Sequence, residues 1–331
     1  MLFPFPVLAA DVGGTNARFA LFGTPGGAAI VLPPQTTAAH AGLAEAARAA
    51  LAATVLAPRS MLACAAGPVV GRGVKLTNAA WTIDGPEVAA AFGLEQGLLF
   101  NDFEAQALAI PALKAEWLRS IGPERAHARG PRLIHGPGTG LGTAALVDAG
   151  GRWLAIASEA SHSDFAPATP EERAFWPFVP RVHGRLTPET LISGPGIARL
   201  HEAIAASLGR SPPGLRSEDI VTRALADHAC VEADTIRAFW KLTARFAGDM
   251  AMAFVASGGV ILAGGVLPRI VDLLDPRVFR DAFENRAPYV EFARRVPVSL
   301  LTGKDTVLHG LAAIAAGPDQ YAIDYEARAW R

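Results

Sequence analysis

The sequence predicts an α/β protein in which mixed sheets are covered by helices. Three observations support this fold class. Short apolar segments with the length of buried strands recur along the chain, and several of them end at glycines. From residue 43 onward these segments alternate with alanine-rich, periodic segments that are typical of helices.

The length and composition indicate two domains. At 331 residues the chain is longer than one small core requires, and 51% hydrophobic residues allow a large interior. A polar connection within residues 111–131 marks a candidate boundary. We therefore expect a small α/β domain of residues 1–111 and 305–331, a large α/β domain of residues 112–304, and a cleft between them.

The balance of charge argues against nucleic acid as a partner. Lys and Arg total 30 against 31 Asp and Glu, which gives a formal net charge of −1, whereas duplex-binding proteins usually have a basic surplus. The 2 cysteines, Cys64 and Cys230, are far apart and lack the spacing of metal ligands. This usage suits a reducing cytosol, so we expect a cytoplasmic protein without a disulfide framework or a structural zinc site.

Two apolar segments resemble membrane or targeting signals only superficially. Residues 1–10 lack a basic start, contain two prolines and end at an aspartate, so we expect no signal peptide. Residues 250–268 carry no charge, but glycine pairs at 258–259 and 264–265 interrupt them. We interpret the second segment as a helix end, a turn, a buried strand and another turn, and we expect no membrane association.

The strands begin with a β-hairpin at residues 7–22. An apolar segment there ends at Asp11, the tip Gly13–Asn16 follows, and an alternating apolar segment leaves the tip. Further strands are expected where apolar segments are bounded by turns, at residues 61–66, 71–78, 97–100, 133–147 (a second hairpin), 153–157, 260–263 and 296–301.

Helices are expected where alanine-rich or periodic segments begin after turn or capping residues. The expected helices are residues 43–56, 86–92, 103–110, a part of 111–131, 171–176, 188–192, 196–208, 217–228, 233–255, 266–274 and 306–316. Ser217 is the expected N-cap of its helix. The helix at 306–316 is expected to pack back on the first domain.

Glycine-rich strand ends are the first candidate binding elements. Glycines at a hairpin tip let a ligand approach bare backbone N–H groups, and the arrangement at 7–22 recurs at 136–143. Asp11 cannot bind phosphate directly because like charges repel, but its carboxylate can hold a hydrated Mg²⁺ that bridges phosphates. The alternative for the first hairpin alone is an ordinary glycine-rich turn with an Asp cap.

The two tips, together with Gly264–Gly265, fit a cleft that binds a nucleotide mainly through backbone amides. The chain has neither the P-loop pattern nor a Rossmann glycine pattern, because the glycines at 138, 140 and 142 have the wrong spacing and lead into a strand.

Asn101 and Asp102 separate a buried strand from a helix. In open α/β sheets ligands bind at the carboxyl ends of the strands. A carboxylate there can accept a proton from a substrate hydroxyl, and the amide can bond to neighbouring hydroxyls. The alternative is a helix N-cap formed by either residue.

Three further polar residues have weaker local support. Glu159 and His162 lie three apart after a strand, and the alternative is a solvated loop pair. They do not make a metal site, because a third ligand is missing. Glu189 falls in the first turn of a helix, where an acid is favoured in any case.

Taken together and in order, these segments resemble the bacterial, hexokinase-type glucokinase family of the actin-like ATPase superfamily. The resemblance extends over nearly the whole chain. It comprises Leu8–Leu21 and Gly136–Gly142 as phosphate motifs, Thr77–Trp81 as a T-N-x-x-W segment, Phe100–Phe103 as a sugar-and-base motif, Glu159-x-x-His162 as a sugar-binding loop, Ser193–Gly196 as the segment after a sugar-contacting Glu, and Leu262–Gly265 as a nucleoside motif.

The resemblance implies a two-domain, ribonuclease H-like fold and an ATP- and Mg²⁺-dependent kinase that phosphorylates glucose at the 6-hydroxyl. It implies that Asp102 takes the proton of that hydroxyl and that Asp11 acts on Mg²⁺ through water. The residues that it assigns to the sugar hydroxyls are Asn78, Asn101, Glu159, His162 and Glu189. The residues that it assigns to ATP, besides Asp11, are Gly13, Gly14, Thr15, Asn16, Gly138, Thr139, Gly140, Gly264 and Gly265. A homodimer is implied by the resemblance alone.

The sugar-binding loop departs from the family pattern E-G-G-H. Ala160 and Ser161 replace the two glycines, and we expect their Cβ atoms to tilt the loop or to crowd the sugar near C1 and C2. Glucose is the expected substrate, and a kinase for another hexose or an N-acetylated amino sugar is the enzymatic alternative. A sugar sensor that binds without turnover on the same fold is the alternative from another class. The related repressor–kinase family has a cysteine-rich zinc motif that this sequence lacks.

Overall fold

The computed structural model describes residues 2–77, 79–211 and 214–331. The chain divides into two compact units. Unit 1 consists of Met1–Ala115, Leu146–Ile156 and Gly303–Arg331, and unit 2 consists of Glu116–Ala145 and Ala157–Thr302. The domains expected from the sequence stay a prediction. The units differ from them chiefly because Leu146–Ile156 belongs to unit 1.

The secondary structure alternates between strands and helices, as the α/β fold class predicts. The strands are β1 (Val7–Val12), β2 (Asn16–Phe22), β3 (Ala29–Val31), β4 (Gln35–Thr36), β5 (Ser60–Ala65), β6 (Val69–Val70), β7 (Gly73–Lys75), β8 (Thr82–Asp84), β9 (Gln96–Asn101), β10 (Leu118–Ser120), β11 (Arg132–Pro137), β12 (Leu141–Asp148), β13 (Trp153–Ser158), β14 (Gly259–Leu262) and β15 (Val298–Leu301). The helices are α1 (Leu43–Leu51), α2 (Gly85–Phe92), α3 (Asp102–Ala109), α4 (Pro170–Phe175), α5 (Pro188–Leu191), α6 (Gly194–Ser207), α7 (Ser217–Ala226), α8 (Val231–Ala253), α9 (Pro276–Glu284), α10 (Val290–Arg295), α11 (Thr306–Ala316) and α12 (Tyr325–Arg328).

Unit 1 contains a mixed six-stranded sheet and the smaller sheet β6-β7-β8. The strand order of the larger sheet is β3-β2-β1-β5-β9, and β4 pairs with β2. The hairpin pair β1 and β2 is antiparallel, whereas β1, β5 and β9 run parallel. All six residues of β5 are buried, because a parallel central strand is covered on both faces. Helix α11 packs against α3 and β1, so the expected return of this helix to the first domain is confirmed.

The other six-stranded sheet has the order β10-β15-β14-β11-β12-β13. Its central strands β11, β14 and β15 are parallel, and β10 pairs antiparallel with β15. In unit 2 the long helix α8 buries Phe239 and Phe246 in the core. This arrangement brings the ends of β11 and β14, each followed by glycines, to the same edge of the sheet.

Three local expectations are wrong. The part of 111–131 expected to be helical forms only 3₁₀ turns and β10, because Leu118–Ser120 pair with the distant strand β15 instead. Residues Leu267–Leu273 form a 3₁₀ helix rather than an α-helix. The N-cap of α7 is Arg216, since the Ser217 hydroxyl donates to the carbonyl oxygen of Gly194 instead, at 2.7 Å.

The uncharged segment at 250–268 follows the expected course. Helix α8 ends at Ala253 and β14 occupies Gly259–Leu262. Within the described ranges, no helix combines the length and the apolar character that crossing a membrane requires.

Candidate active site

Asp102 lies in unit 1, where β9 ends and α3 begins. The junction is built as a helix cap, because Asn101 Oδ1 accepts the backbone N–H groups of Phe103 at 3.0 Å and Glu104 at 3.2 Å. Glu104 Oε2 in turn accepts the N–H of Asn101 at 3.3 Å, which completes a capping box. Asn101 Nδ2 donates to Gly67 O at 3.1 Å. The N-cap alternative for Asn101 is therefore confirmed, and the second N–H of its amide group lies outside these bonds.

The carboxyl group of Asp102 is partly buried, and its acidity is perturbed. Burial raises its pKa from 3.8 to about 6, the N–H of Phe103 opposes that rise, and the Asp11 carboxylate adds to it. Asp102 Oδ1 accepts the Phe103 N–H at 3.0 Å, which holds the carboxylate in one direction. A carboxylate with this pKa is mostly ionised at pH 7 and takes up a proton easily, as a general base must.

The tip of the first hairpin presents backbone amides. Gly13 N–H donates to Asn16 O at 2.9 Å and closes the turn. Both tip carbonyls bind Thr37, whose hydroxyl donates to Gly14 O at 2.7 Å and whose N–H donates to Thr15 O at 2.9 Å. In the part of the chain that the structure describes, the N–H groups of Gly14 and Thr15 have no hydrogen-bond acceptor. The tip can therefore donate to an anion.

Asp11 is held by two side chains, Arg18 and Cys64, and Arg18 also reaches Asp305. Arg18 Nη2 donates to Asp11 Oδ2, and Arg18 Nη1 lies 3.5 Å from Asp305 Oδ1. Cys64 Sγ donates to Asp11 Oδ1 at 3.4 Å. Burial and the adjacent Asp11 raise the pKa of the Cys64 thiol well above its usual value, so the thiol stays protonated and remains a donor. Arg18, Asp305 and Cys64 were not among the residues expected from the sequence.

The donor set around Asp11 fits a magnesium ion held only indirectly. Among the described residues, no group of three or more His, Cys, Asp or Glu side chains could hold a metal ion. Mg²⁺ usually keeps several waters and uses one or two carboxylates together with substrate phosphates. The oriented Asp11 carboxylate beside an amide-rich tip matches this mode of binding.

In unit 2, the glycine-rich tip at Gly138–Gly140 lies beside the Gly264–Gly265 segment. The tip closes through Gly138 N–H to Gly140 O, and Gly138 O accepts the N–H of Gly194 at the start of α6, both at 2.8 Å. A Cβ atom at Gly136 would lie 1.9 Å from Ala263 O. At Gly264, where φ is +87°, a Cβ atom would lie 2.4 Å from Pro137 O. These glycines permit direct backbone contact, so Gly264–Gly265 lies beside the Gly138–Gly140 tip, with Thr139 exposed on it.

Glu189 contacts this tip rather than standing free. Its Oε2 accepts the N–H of Leu141 at 2.8 Å. A Cβ atom at Gly140 would lie 2.5 Å from the same oxygen, so a glycine is needed for this approach. The first turn of α5 therefore fixes the tip through one carboxylate oxygen, and Oε1 lies outside this bond.

Glu159 and His162 lie on an exposed 3₁₀ turn. Their side chains are 90% and 53% exposed, with His162 Nε2 3.7 Å from Glu159 Oε2. Between them, Ser161 is 1% exposed and Ala160 packs against the core of unit 2. Neither residue has a positive φ, so this turn accommodates Cβ atoms without strain, and the buried Ser161 side chain does not lie on the exposed face.

The remaining sequence-derived residue, Asn78, lies outside the described residues. The signal for Arg18 was available in the sequence, because a short tip between Val12 and Asn16 places residue 18 opposite residue 11 in an antiparallel pair. Asp305 offers no comparable local signal, because 287 residues separate it from Arg18.

Comparison with known proteins gives consistent results. A family model described as Glucokinase matches residues 8–318. A glucokinase of Sinorhizobium medicae is 39% identical over 330 residues, which cover 99% of this chain and 97% of that protein.

Solved structures show the same likeness. A glucokinase from an Antarctic psychrotroph has a TM-score of 0.81 at 32% identity and covers 94% of this chain and 99% of that one. A ROK family glucokinase from Streptomyces griseus in complex with glucose and AMPPNP has a TM-score of 0.64 at 20% identity, covering 93% and 98% of the two chains. The latter likeness concerns the fold alone. The expected actin-like ATPase fold is confirmed.

Proposed function

The chain belongs to the glucokinase family, and we propose on this basis that it transfers the γ-phosphoryl group of ATP to the 6-hydroxyl of glucose. The structural observation that supports this most directly is Asp102. Its partly buried carboxylate has a pKa of about 6 and a fixed direction, and it lies at a strand end where ligands bind in α/β sheets.

Asp102 is the proposed base. The 6-oxygen of the sugar attacks the γ-phosphorus, the bond from that phosphorus to the bridging oxygen of ADP breaks, and Asp102 receives the hydroxyl proton. The transition state of phosphoryl transfer is loose, so the hydroxyl proton can leave late and a weak base suffices. Most of the catalysis is then alignment of the substrates and neutralisation of charge.

Backbone amides are the proposed phosphate ligands. In unit 1 these are the N–H groups of Gly14 and Thr15, at the turn that Gly13 closes, with Asn16 at the start of β2. In unit 2 they are those of Thr139 and Gly140, at the turn that Gly138 closes, and Gly264–Gly265 is assigned to the nucleoside. Mg²⁺, when bound, neutralises phosphate charge, and Asp11 would hold it through water. Arg18 keeps the Asp11 carboxylate in place and limits the negative charge near the phosphates.

The sugar hydroxyls are assigned to the second amide N–H of Asn101 and to Glu159, His162 and Glu189. Glu189 can use Oε1 while Oε2 holds the tip. Asn78 is a further proposed contact. A homodimer and a cytoplasmic location stay predictions from the sequence.

The test is ADP release from MgATP with glucose, mannose, fructose, N-acetylglucosamine or no sugar, in the protein and in its Asp102→Asn variant. Glucose-selective turnover that falls roughly 10²-fold in the variant, with sugar affinity within about tenfold, supports the proposal. Selectivity for another sugar keeps the mechanism and changes the substrate. Saturable sugar binding without turnover points to the sensor, and near-normal turnover in the variant removes Asp102 as the base.

A further inference from the structure

The segment after α11 folds back onto the strand that ends at Asp102. Trp330 is 1% exposed, and it forms a two-way backbone bridge with β9. Trp330 N–H donates to Gly97 O at 3.1 Å, and Gly97 N–H donates to Trp330 O at 2.7 Å. Because β9 is the last strand of its sheet, this bridge covers backbone groups that an edge strand would otherwise leave unpaired.

Two glycines make room for the indole ring. A Cβ atom at Gly97 would lie 2.0 Å from Trp330 Cζ3, and one at Gly85 would lie 2.4 Å from Trp330 Cδ1. The ring therefore rests directly on the backbone of β9 and on the start of α2. This fit fixes the position of the residues that precede Trp330.

Arg328 spans the junction between β9 and α3. Its Nη1 and Nη2 donate to Glu104 Oε1 at 2.6 Å and Oε2 at 3.0 Å, a bidentate pair with side chains 22% and 18% exposed. Nη2 also donates to Leu99 O at 2.8 Å, and the guanidinium lies 5.0 Å from the ring centroid of Phe100. One side chain thus contacts the end of the strand and the first turn of the helix.

Glu104 connects this contact to Asp102. The oxygen that binds Arg328 Nη2 also accepts the N–H of Asn101, and Asn101 Oδ1 accepts the N–H groups of Phe103 and Glu104. The Phe103 N–H is also the donor that orients Asp102. Arg328 is therefore linked, through Glu104 and Asn101, to the Phe103 N–H that orients Asp102.

We propose that Arg328, anchored by Trp330, is a positioning residue that holds Asp102 in its reactive direction through Glu104. The inference rests on the proposed role of Asp102 as the base. Bidentate pairing fixes an angle as well as a distance, and a small misplacement of a reacting group costs far more in rate than in substrate binding.

The test compares Arg328→Gln and Arg328→Lys with Arg59→Gln, which removes an exposed ion pair of the same unit. We expect Arg328→Gln to lower kcat about tenfold or more while both KM values stay within about threefold. Arg328→Lys keeps the charge but cannot form the bidentate pair, so its kcat should lie between those of the unsubstituted protein and Arg328→Gln. Arg59→Gln should leave kcat unchanged.

Amide hydrogen exchange supplies a readout that does not depend on activity. Exchange in a peptide spanning 96–109 should rise in Arg328→Gln and stay unchanged in Arg59→Gln. Trp330→Phe should retain the protection, because Trp330 Nε1 has no partner among the described residues, whereas Trp330→Ala should lose it.

The outcomes separate this inference from the proposed function. If Arg328→Gln keeps both its kcat and its exchange protection while Asp102→Asn is inactive, the positioning role is overturned and the base stands. A lowered melting temperature with unchanged kcat also overturns it. If Asp102→Asn is active, the base assignment fails, and the exchange result alone decides whether Arg328 orders the junction.

Discussion

Asp11 and Arg18 face each other across the first hairpin. The register of β1 and β2 pairs the two residues directly, and their side chains form an ion pair. The same guanidinium reaches Asp305, which has a positive φ of 54° at the N-cap of α11. One cation therefore balances two carboxylates beside the tip that we assign to phosphate.

Arg18→Gln should weaken the use of MgATP. Without the guanidinium, Asp11 and Asp305 are uncompensated and repel the phosphates, so we expect kcat/KM for MgATP to fall about 10- to 100-fold. Initial rates of ADP release at saturating glucose measure this, with Arg59→Gln as the control. A kcat/KM equal to that of the control would show that Arg18 has no part in phosphate binding.

The rate should depend on the ionisation of Asp102. Since its pKa is about 6, kcat/KM should fall as the pH drops through about 6, because the protonated carboxyl group cannot accept a proton. The Asp102→Asn variant should show a low rate without this acid limb. A wild-type profile that stays flat down to pH 5 would contradict the assignment.

The ionised Asp102 carboxylate, which the rate requires, should lower the stability of the fold. The folded pKa is raised from 3.8 to about 6, so ionisation of the group opposes folding, fully so above pH 6. This cost fades as the pH falls through about 4, where the group becomes protonated in the unfolded state as well. We expect Asp102→Asn to increase the free energy of unfolding by about 1–2 kcal/mol at pH 7.5. Urea titrations should show this gain disappearing near pH 4, and a destabilised variant at pH 7.5 would refute the argument.

Two glycine substitutions at the second tip form a matched pair. In Gly140→Ala the new Cβ atom would lie 2.5 Å from Glu189 Oε2, whereas a Cβ atom at Gly138 would have, apart from its chain neighbours, no atom of the described residues within 4 Å. Gly140→Ala should break the hydrogen bond from Leu141 N–H to Glu189 Oε2 and lower the free energy of unfolding by about 1–2 kcal/mol. Gly138→Ala should leave the melting temperature unchanged. Thermal unfolding of both variants decides this, and equal melting temperatures would show that Glu189 can move aside freely.

The ion pair between Arg245 and Glu172 is buried, with side chains 9% and 8% exposed. Arg245 also donates to Ala166 O at 2.8 Å and lies 4.0 Å from the ring centroid of Phe165. Glu172→Gln leaves the charge of the Arg245 guanidinium unpaired in the interior. We therefore expect the free energy of unfolding to fall by about 3 kcal/mol.

Denaturant unfolding measures this loss. Arg185→Gln is its matched control, because that residue pairs with Asp164 on the surface with side chains 53% and 84% exposed. The free energy of unfolding of the control should fall by about 1 kcal/mol or less. Equal losses in the two variants would mean that burial does not set the strength of these pairs.

Local patterns were sufficient for much of the fold. The hairpin tip at Gly13–Thr15 and the strand-to-helix junction at Asn101–Asp102 are specified by neighbouring residues, because turn and capping chemistry acts over three or four positions. The 3₁₀ turns near Pro111 and the cap at Ser217 show the limit of such patterns. There, pairing with a distant strand or a bond to a distant carbonyl outweighed the local preference.

The sequence by itself determined the α/β class, the glycine-bearing strand ends and the family resemblance, since each depends on residue type and spacing along the chain. Only the tertiary structure decided how Asp102 is held. Arg328 lies 224 residues from Glu104, and the space for Trp330 depends on the missing side chains of Gly85 and Gly97. Side chains so far apart in sequence meet only when the strands have paired and the core has closed, because packing joins surfaces rather than neighbouring positions.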